Sequence, residues 1–225
     1  MHSHILPGID DGSPDPESSV QLLKGLEELG YTKFITTPHI LWDMYKNDRE
    51  TIGEAATELA EELKAQEKTF GIHPAAEYYM DEHFDELLAF NTPLMTLKDN
   101  LVLVEFSFVS PPLDLNEKLF DLQVRGYQPV IAHPERYLYF AEDKRWYNNV
   151  RDAGCYLQLN LLSLAGYYGR GPLELAKYIY KNKLVDLLGT DLHHGRHLHA
   201  LRTSPGLMDH VQEILDSGRV LNSEL

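Results

Sequence analysis

The sequence predicts an α/β protein of repeated strand–helix units, closed as a barrel or laid out as an open parallel sheet. Three observations carry this reading. Apolar segments of strand length recur along the 225 residues. Each is followed by a stretch of helical periodicity. Metal-ligand-type side chains return once per unit, at the strand ends. With no linker, low-complexity tract or short solenoid repeat, one domain over residues 1–225 is the simplest organisation.

The predicted strands are Tyr31–Thr36, Phe70–Ala76, Leu101–Phe106, Gln128–Ala132, Cys155–Leu159 and Leu184–Gly189, with a clipped one near Met1–Ile5. Their nearly continuous apolar character suits parallel strands covered by helices on the outside. Asp15 and Pro16 open a helix carrying Val20, Leu23, Leu26 and Leu29, and Gly30 stops it. Asp48 opens a second, with Ile52, Ala55, Ala56, Leu59 and Leu63 on one stripe. Further helices are expected from about Asn116 to Val124, from Pro172 to about Lys181, and from Leu207 to Ser217.

Composition narrows the chemistry. Hydrophobic residues make up 43% of the chain, enough for a sizeable core. The net charge of -15 repels phosphate backbones, which argues against general nucleic-acid binding and leaves room for bound cations. Cys155 is the only cysteine, so no intrachain disulfide can form and a reducing compartment is expected. No apolar run reaches the ~18 residues of a membrane span, and no secretory signal opens the sequence. The expected location is the cytoplasm.

The strand ends carry His2/His4, His39, Glu77, Glu105, His133, Asn160 and Asp191/His193. Successive steps of 35, 38, 28, 28, 27 and 31 residues from His4 to Asp191 each match one βα unit of roughly 30 residues. These side chains therefore return at the face where barrels build their sites. Residues two apart on a strand share a side, so His2 with His4, and Asp191 with His193, can each chelate. Asp11 follows the first strand. Without Asn160, the nine candidates exceed what one four- to six-coordinate ion uses, and suit two or three ions sharing bridging carboxylates.

Any one piece alone is weak, because an isolated His-x-His is usually incidental. The periodicity is what a solvated surface would not produce. His194, His197 and His199 read as exposed loop residues, His73 as a packed strand residue, and His83 and His210 as surface helix positions. Arg136, just after His133, is placed to grip a phosphoryl oxygen in a bidentate fork. Arg196 is a second such candidate. Aromatic residues near the same face (Trp42, Tyr45, Phe106, Phe108, Tyr137, Tyr139, Tyr167 and Tyr168) could form a ring pocket.

With these residues in place, the chain resembles the polymerase and histidinol phosphatase family of trinuclear metal phosphoesterases. Within it, the likeness is to the tyrosine-protein phosphatases of bacterial capsule and exopolysaccharide operons. The matching stretches are His2 to Gly12, Thr36-Thr37-Pro38-His39, Ala76-Glu77-Tyr78-Tyr79, Glu105-Phe106, Ala132-His133-Pro134-Glu135-Arg136-Tyr137 and Thr190-Asp191-Leu192-His193. The resemblance implies a distorted (β/α)7, TIM-like barrel with its metal site at the C-terminal ends of the strands. It also implies phosphotyrosine hydrolysis with three divalent ions. Manganese is the first expectation, with iron, cobalt, zinc and magnesium behind it.

By matching position, the implied ligands are His2, His4, Asp11, His39, Glu77, Glu105, His133, Asp191 and His193, with Arg136 on the phosphate. Asp11 and Arg196 join Arg136 as catalytic candidates. The implied partner is a phosphotyrosine protein, an autophosphorylated bacterial tyrosine kinase. The family's first strand starts several residues before the His-x-His pair, so that strand reads as truncated here.

A phosphatase working at pH 7 must take its hydroxide from water, and metal coordination brings that water's pKa to near 7. A cysteine mechanism is excluded, because Cys-x5-Arg would need Arg where Leu161 stands. A small-molecule phosphatase of histidinol-phosphate type and a non-enzymatic scaffold are the rival readings.

Overall fold

The computed structural model describes residues 2–225; Met1, where the clipped first strand was expected to open, lies outside them. The strands are β1 (Phe34–Thr36), β2 (His39–Ile40), β3 (Ile72–Pro74), β4 (Glu77–Tyr79), β5 (Leu101–Glu105), β6 (Gln128–Ala132), β7 (Tyr156–Asn160) and β8 (Leu187–Gly189). The helices are α1 (Pro16–Glu28), α2 (Arg49–Ala65), α3 (Glu82–Ala89), α4 (Leu115–Val124), α5 (Arg145–Asp152), α6 (Leu161–Leu164), α7 (Arg170–Lys181), α8 (Gly195–Thr203) and α9 (Leu207–Asp216).

The expected helix starts have physical anchors. The Asp15 side chain accepts from Ser18 N–H at 2.7 Å, opening α1. Asp48 accepts from Thr51 N–H while Thr51 Oγ1 accepts from Asp48 N–H, both at 2.9 Å, closing a reciprocal cap on α2. On α2, Ile52, Ala55, Leu59 and Leu63 are buried, as the stripe requires.

All ladders are parallel: β2-β4-β5-β6-β7-β8 form one sheet and β1-β3 a second. The sheet is two-sided. Leu103, Val130, Ala132 and Leu187 pack with Ile35, Ala75 and Leu97 in a small inner cluster, whereas Val102, Val104, Ile131, Leu157 and Leu159 join the larger core beneath the helices. Both faces are dry, which explains the continuous apolar runs.

Among the described residues the ladders do not close into a barrel. The chain leaves the ladder at Thr37-Pro38 and again at Ala75-Ala76, so two expected strands shorten to β1 and β3, and the unexpected β2 and β4 follow just beyond them. Residues 2–4 form no ladder, only a parallel bridge from Ser3 to Leu192. They nevertheless sit between two neighbours. Thr37 N–H donates to Ser3 O at 2.8 Å, and His4 N–H donates to Leu192 O at 2.8 Å.

Candidate metal centre

Each strand end delivers its side chain to one place. His39 starts β2, Glu77 starts β4, Glu105 ends β5, His133 follows β6, and Asp191 with His193 follows β8. Neither pair expected on regular strand, His2/His4 or Asp191/His193, lies on one. His2, His133 and Asp191 have φ of 51°, 34° and 48°, a left-handed conformation that costs non-glycine residues of order 1–3 kcal/mol. The strand geometry is broken, yet the side chains still converge. Three strained residues among nine candidates indicate that packing, not local preference, fixes this arrangement.

Glu77 is the hub. Its carboxylate lies 3.2 Å from His2 Nε2, 3.3 Å from His4 Nε2, 3.4 Å from His39 Nδ1 and 3.0 Å from His133 Nε2. Asp191 Oδ1 stands 3.4 Å from the Nε2 atoms of both His2 and His4, and 3.4 Å from His193 Nδ1. Glu105 Oε1 is 2.8 Å from His39 Nδ1. Asp11 Oδ1 closes the outer side, 3.4 Å from His193 Nε2 and 3.5 Å from His39 Nε2.

Burial disfavours the charged forms of Glu77 and Asp191, but the surrounding imidazoles, His2 foremost, hold both well below the usual carboxylate range. Burial likewise opposes protonation of His39, and the Glu105 carboxylate overrides it, lifting His39 to about 9.

These donors fit divalent cations. Their ligand-type atoms form three overlapping groups, each within 4.8 Å: His4/Asp11/His39/His193, His2/His4/Glu77/Asp191 and His39/Glu77/Glu105. Two donors about 2.1 Å from a common ion lie roughly 3.0–3.4 Å from one another, close to the spacings above. The Nε2 atoms of His2 and His4 face each other at 3.4 Å, and His133 Nδ1 is buried without a hydrogen-bond partner. A cation supplies what such atoms lack.

The centre opens into a cavity of about 280 Å³ bounded by Asp11, His39, Glu105, Phe108, Arg136 and Tyr168. A larger groove of about 490 Å³ between α7 and α9 lacks any gathering of imidazoles. Chemistry marks the site here, and size does not.

The family profile described as "Capsular polysaccharide synthesis, CpsB/CapC" matches residues 1–214. The chain belongs to the CpsB/CapC family. It is 30% identical over 194 residues to the tyrosine-protein phosphatase YwqE of Bacillus subtilis, a match covering 86% of this chain and 76% of YwqE. It is 28% identical over 222 residues to the tyrosine-protein phosphatase CpsB of Streptococcus pneumoniae, covering 96% and 88% of the two chains. The fold superposes, with a TM-score of 0.79 and 28% identity, on a structure from the crystallographic study of YwqE and CpsB, which describes them as unique metal-dependent tyrosine phosphatases. That superposition covers 91% of this chain and 86% of the other.

In this CpsB/CapC chain, Arg136 reaches into the centre. Its NH1 donates to Asp191 Oδ2 at 3.0 Å, while the guanidinium lies 4.4 Å from the Phe108 ring centroid and 4.5 Å from that of Tyr168. Cation–π contact with both rings limits its movement. Arg196 lies apart, exposed on the first turn of α8, bordering a separate cavity with Tyr167 and His199.

Several expectations change. His194, His197 and His199 are not on a loop: His194 caps α8, with its ring accepting from His197 N–H, and the other two lie in the helix. His197 is buried against the cavity, and burial, with His194 and His193 nearby, lowers it to about 4. His73 is exposed and bonds to Thr96 O at 2.9 Å, so it does not pack. Phe106 and Tyr137 are fully buried and stack at 4.0 Å, so they are core and not ring pocket.

Two contributors were missed. The Asp10 side chain, fully buried, meets His4 Nδ1 at 2.8 Å, and Gln158 Oε1 meets His2 Nδ1. Gln158 is a polar residue between Leu157 and Leu159 on an apolar strand. That interruption is the signal that would have found it.

Proposed function

We infer that this chain is a metal-dependent protein-tyrosine phosphatase of capsular polysaccharide synthesis. The observation that carries this reading is the set of three overlapping His/carboxylate groups beneath an arginine in cation–π contact with two rings. It stands in a chain whose relatives are named tyrosine-protein phosphatases.

Three divalent ions would be held by His2, His4, Asp11, His39, Glu77, Glu105, His133, Asp191 and His193. Manganese is preferred, because five imidazoles suit a transition ion better than magnesium. His4, His39 and Glu77 each appear in two groups and are the natural shared residues. When bound, such ions supply Lewis acidity toward phosphoryl oxygens and lower the pKa of water toward neutrality.

The protein's own part is orientation and charge. Arg136, in cation–π contact with Phe108 and Tyr168, keeps N–H groups free beyond the one bonded to Asp191. Those groups can receive a phosphoryl oxygen in the fork that guanidinium favours. Asp11, half exposed at the rim, stands where ions, solvent and substrate meet. Arg196, outside the cavity, meets an approaching anionic group first. The exposed faces of Phe108 and Tyr45 offer a phenyl ring apolar area worth roughly 25 cal/mol per Å².

The chain is taken as one domain over residues 1–225, with the architecture of a distorted (β/α)7 TIM-like barrel. The bonds from residues 2–4 to the ends of β1 and β8 support closure at that seam. A cytoplasmic location and an autophosphorylated tyrosine kinase as substrate complete the proposal; no helix among the described residues is long and apolar enough to cross a membrane.

The test is a substrate panel on metal-analysed enzyme. Phosphotyrosine peptides should be hydrolysed with far higher kcat/KM than histidinol phosphate, phosphoserine or phosphothreonine peptides. Equal or better turnover of histidinol phosphate would overturn the tyrosine assignment.

A further inference from the structure

We propose that Asp10 and Gln158 are positioning residues that set the Nε2 donor atoms of His4 and His2 with unequal strength, one from a carboxylate and the other from an amide. The proposal rests on the metal reading above and concerns residues outside the nine ligand candidates.

The two histidines are built alike at the front and differently behind. Both direct Nε2 at Glu77 Oε2 and Asp191 Oδ1. Behind His4, Asp10 Oδ2 accepts from Nδ1 at 2.8 Å and also from His39 N–H at 3.1 Å, while Asp10 Oδ1 accepts from Gly12 N–H at 2.9 Å. Three N–H donors converge on one fully buried side chain, so it serves as a carboxylate acceptor. Behind His2, Gln158 Oε1 accepts from Nδ1. A proton held on Nδ1 leaves the Nε2 lone pair free for a cation, and a partner on the far nitrogen also fixes the ring plane.

The backbone makes room for both partners. A Cβ at Gly12 would stand 2.0 Å from His4 O, so only glycine lets the Asp10 turn fold back onto His4. A Cβ at Gly189 would stand 2.6 Å from Gln158 Oε1 and 3.2 Å from His2 Cβ. Gln158 reaches the site because β7 turns it inward. Its register partners Ala132 and Leu187 both belong to the inner cluster, so the amide shares their face. The buried amide has a Nε2 with no hydrogen-bond partner, a cost that its bond to His2 offsets.

A carboxylate behind an imidazole makes the opposite nitrogen a stronger electron donor than a neutral amide does. His4 is therefore the stronger ligand and His2 the weaker. The ions that His4 touches should be held more firmly than His2 alone would hold them.

The experiment uses Co²⁺ as the probe, titrated into metal-free full-length protein against a competing chelator, with visible absorption recording the coordination. Wild type is compared with Asp10→Asn, Asp10→Ala, Gln158→Glu and Gln158→Leu. Asp10→Ala and Gln158→Leu should each weaken Co²⁺ affinity by roughly 10–100-fold, the scale of a lost outer partner. Asp10→Asn should fall between wild type and Asp10→Ala, with a shifted Co²⁺ spectrum. Gln158→Glu should bind at least as tightly as wild type.

Circular dichroism identifies any variant that fails to fold, in which case the shape-conserving Asp10→Asn and Gln158→Glu carry the test. Wild-type affinity and spectrum in Asp10→Asn would overturn the proposal. So would equal losses in Asp10→Asn and Gln158→Glu, which would mean that shape matters and charge does not. A wild-type protein that takes up no Co²⁺ would overturn the metal reading and this proposal together.

Discussion

The inner and outer halves of the centre differ in how much solvent reaches them. His2, His4, Glu77 and Asp191 are 0–2% exposed, whereas His39 and His193 are 13% and 12% exposed and Asp11 is 51% exposed. The inner half is part of the core. Its side chains replace apolar packing where β4 and the segment after β8 meet residues 2–4, and two of its members hold strained backbone. In the outer half Asp11 and His193 sit on loops and His39 opens β2, and all three face the cavity. A cation bound in the inner half would therefore serve folding, and one bound in the outer half would exchange with water and substrate, because uncompensated charge costs most where water is excluded.

The largest effect is expected at the hub. Glu77→Ala removes the carboxylate that lies within 3.4 Å of a nitrogen on each of four histidines. Activity should fall by more than the roughly 10²–10³ of one lost electrostatic donor. Metal content should fall with it. Saturating metal at about 100 times its dissociation constant stabilises the fold by ~2.7 kcal/mol. In wild type that corresponds to a Tm rise of roughly 5–11 °C, which Glu77→Ala should lose. A variant with full metal stoichiometry and an undiminished Tm rise would show that the inner half is not the fold's metal anchor.

Chelation should sharpen the same contrast. Excess chelator added to the loaded protein should release ions in at least two phases, a fast one from the Asp11/His39/His193 side and a slow one from beneath Glu77. Mass spectrometry of the remaining protein-bound metal follows both. Release of every ion in one phase would erase the inner and outer distinction.

Arg136→Ala tests the boundary between the halves and should separate catalysis from metal binding. Arg136 bonds Asp191, yet Asn160 Nδ2 also donates to Asp191 Oδ2 at 2.9 Å and would keep that carboxylate oriented. The expected outcome is retained metal with kcat/KM lower by roughly 10²–10³. Loss of metal in this variant would make Arg136 a support for Asp191 instead.

How much of this was readable in the sequence depends on where each signal is local. The strand Gln128–Ala132 and the starts of α1 and α2 were legible because apolar runs and Asp caps act within a few residues. Helix α8 was not, since it is capped by a histidine ring and begins at Gly195, outside the usual Ser, Thr, Asp or Asn vocabulary. Strands β2 and β4 were hidden because two- and three-residue strands carry no measurable alternation. The converging strand-end residues stand out by their spacing, which survives even where His2, His133 and Asp191 abandon strand geometry. Asp10 and Gln158 were not, because they act through other side chains and have no spacing of their own.

The smallest effect is expected far from both halves, at Cys155. It sits just before β7, at the opposite end of that strand from Asn160, and is 2% exposed among core residues. Burial pushes its thiol up to about 12, so almost no thiolate forms at neutral pH and it has neither access nor nucleophilicity. It acts as a small hydrophobe. Cys155→Ala should therefore leave kcat/KM within about twofold, since removing an inert thiol touches no term in transition-state binding. Loss of the buried sulfur should cost about 1 kcal/mol and lower Tm by roughly 2–4 °C. Iodoacetamide should likewise leave the folded, metal-loaded protein active. If Cys155→Ala instead abolished phosphotyrosine hydrolysis while metal content and fold stayed intact, the reaction would run through a thiol, and neither half of the metal centre would be its catalyst.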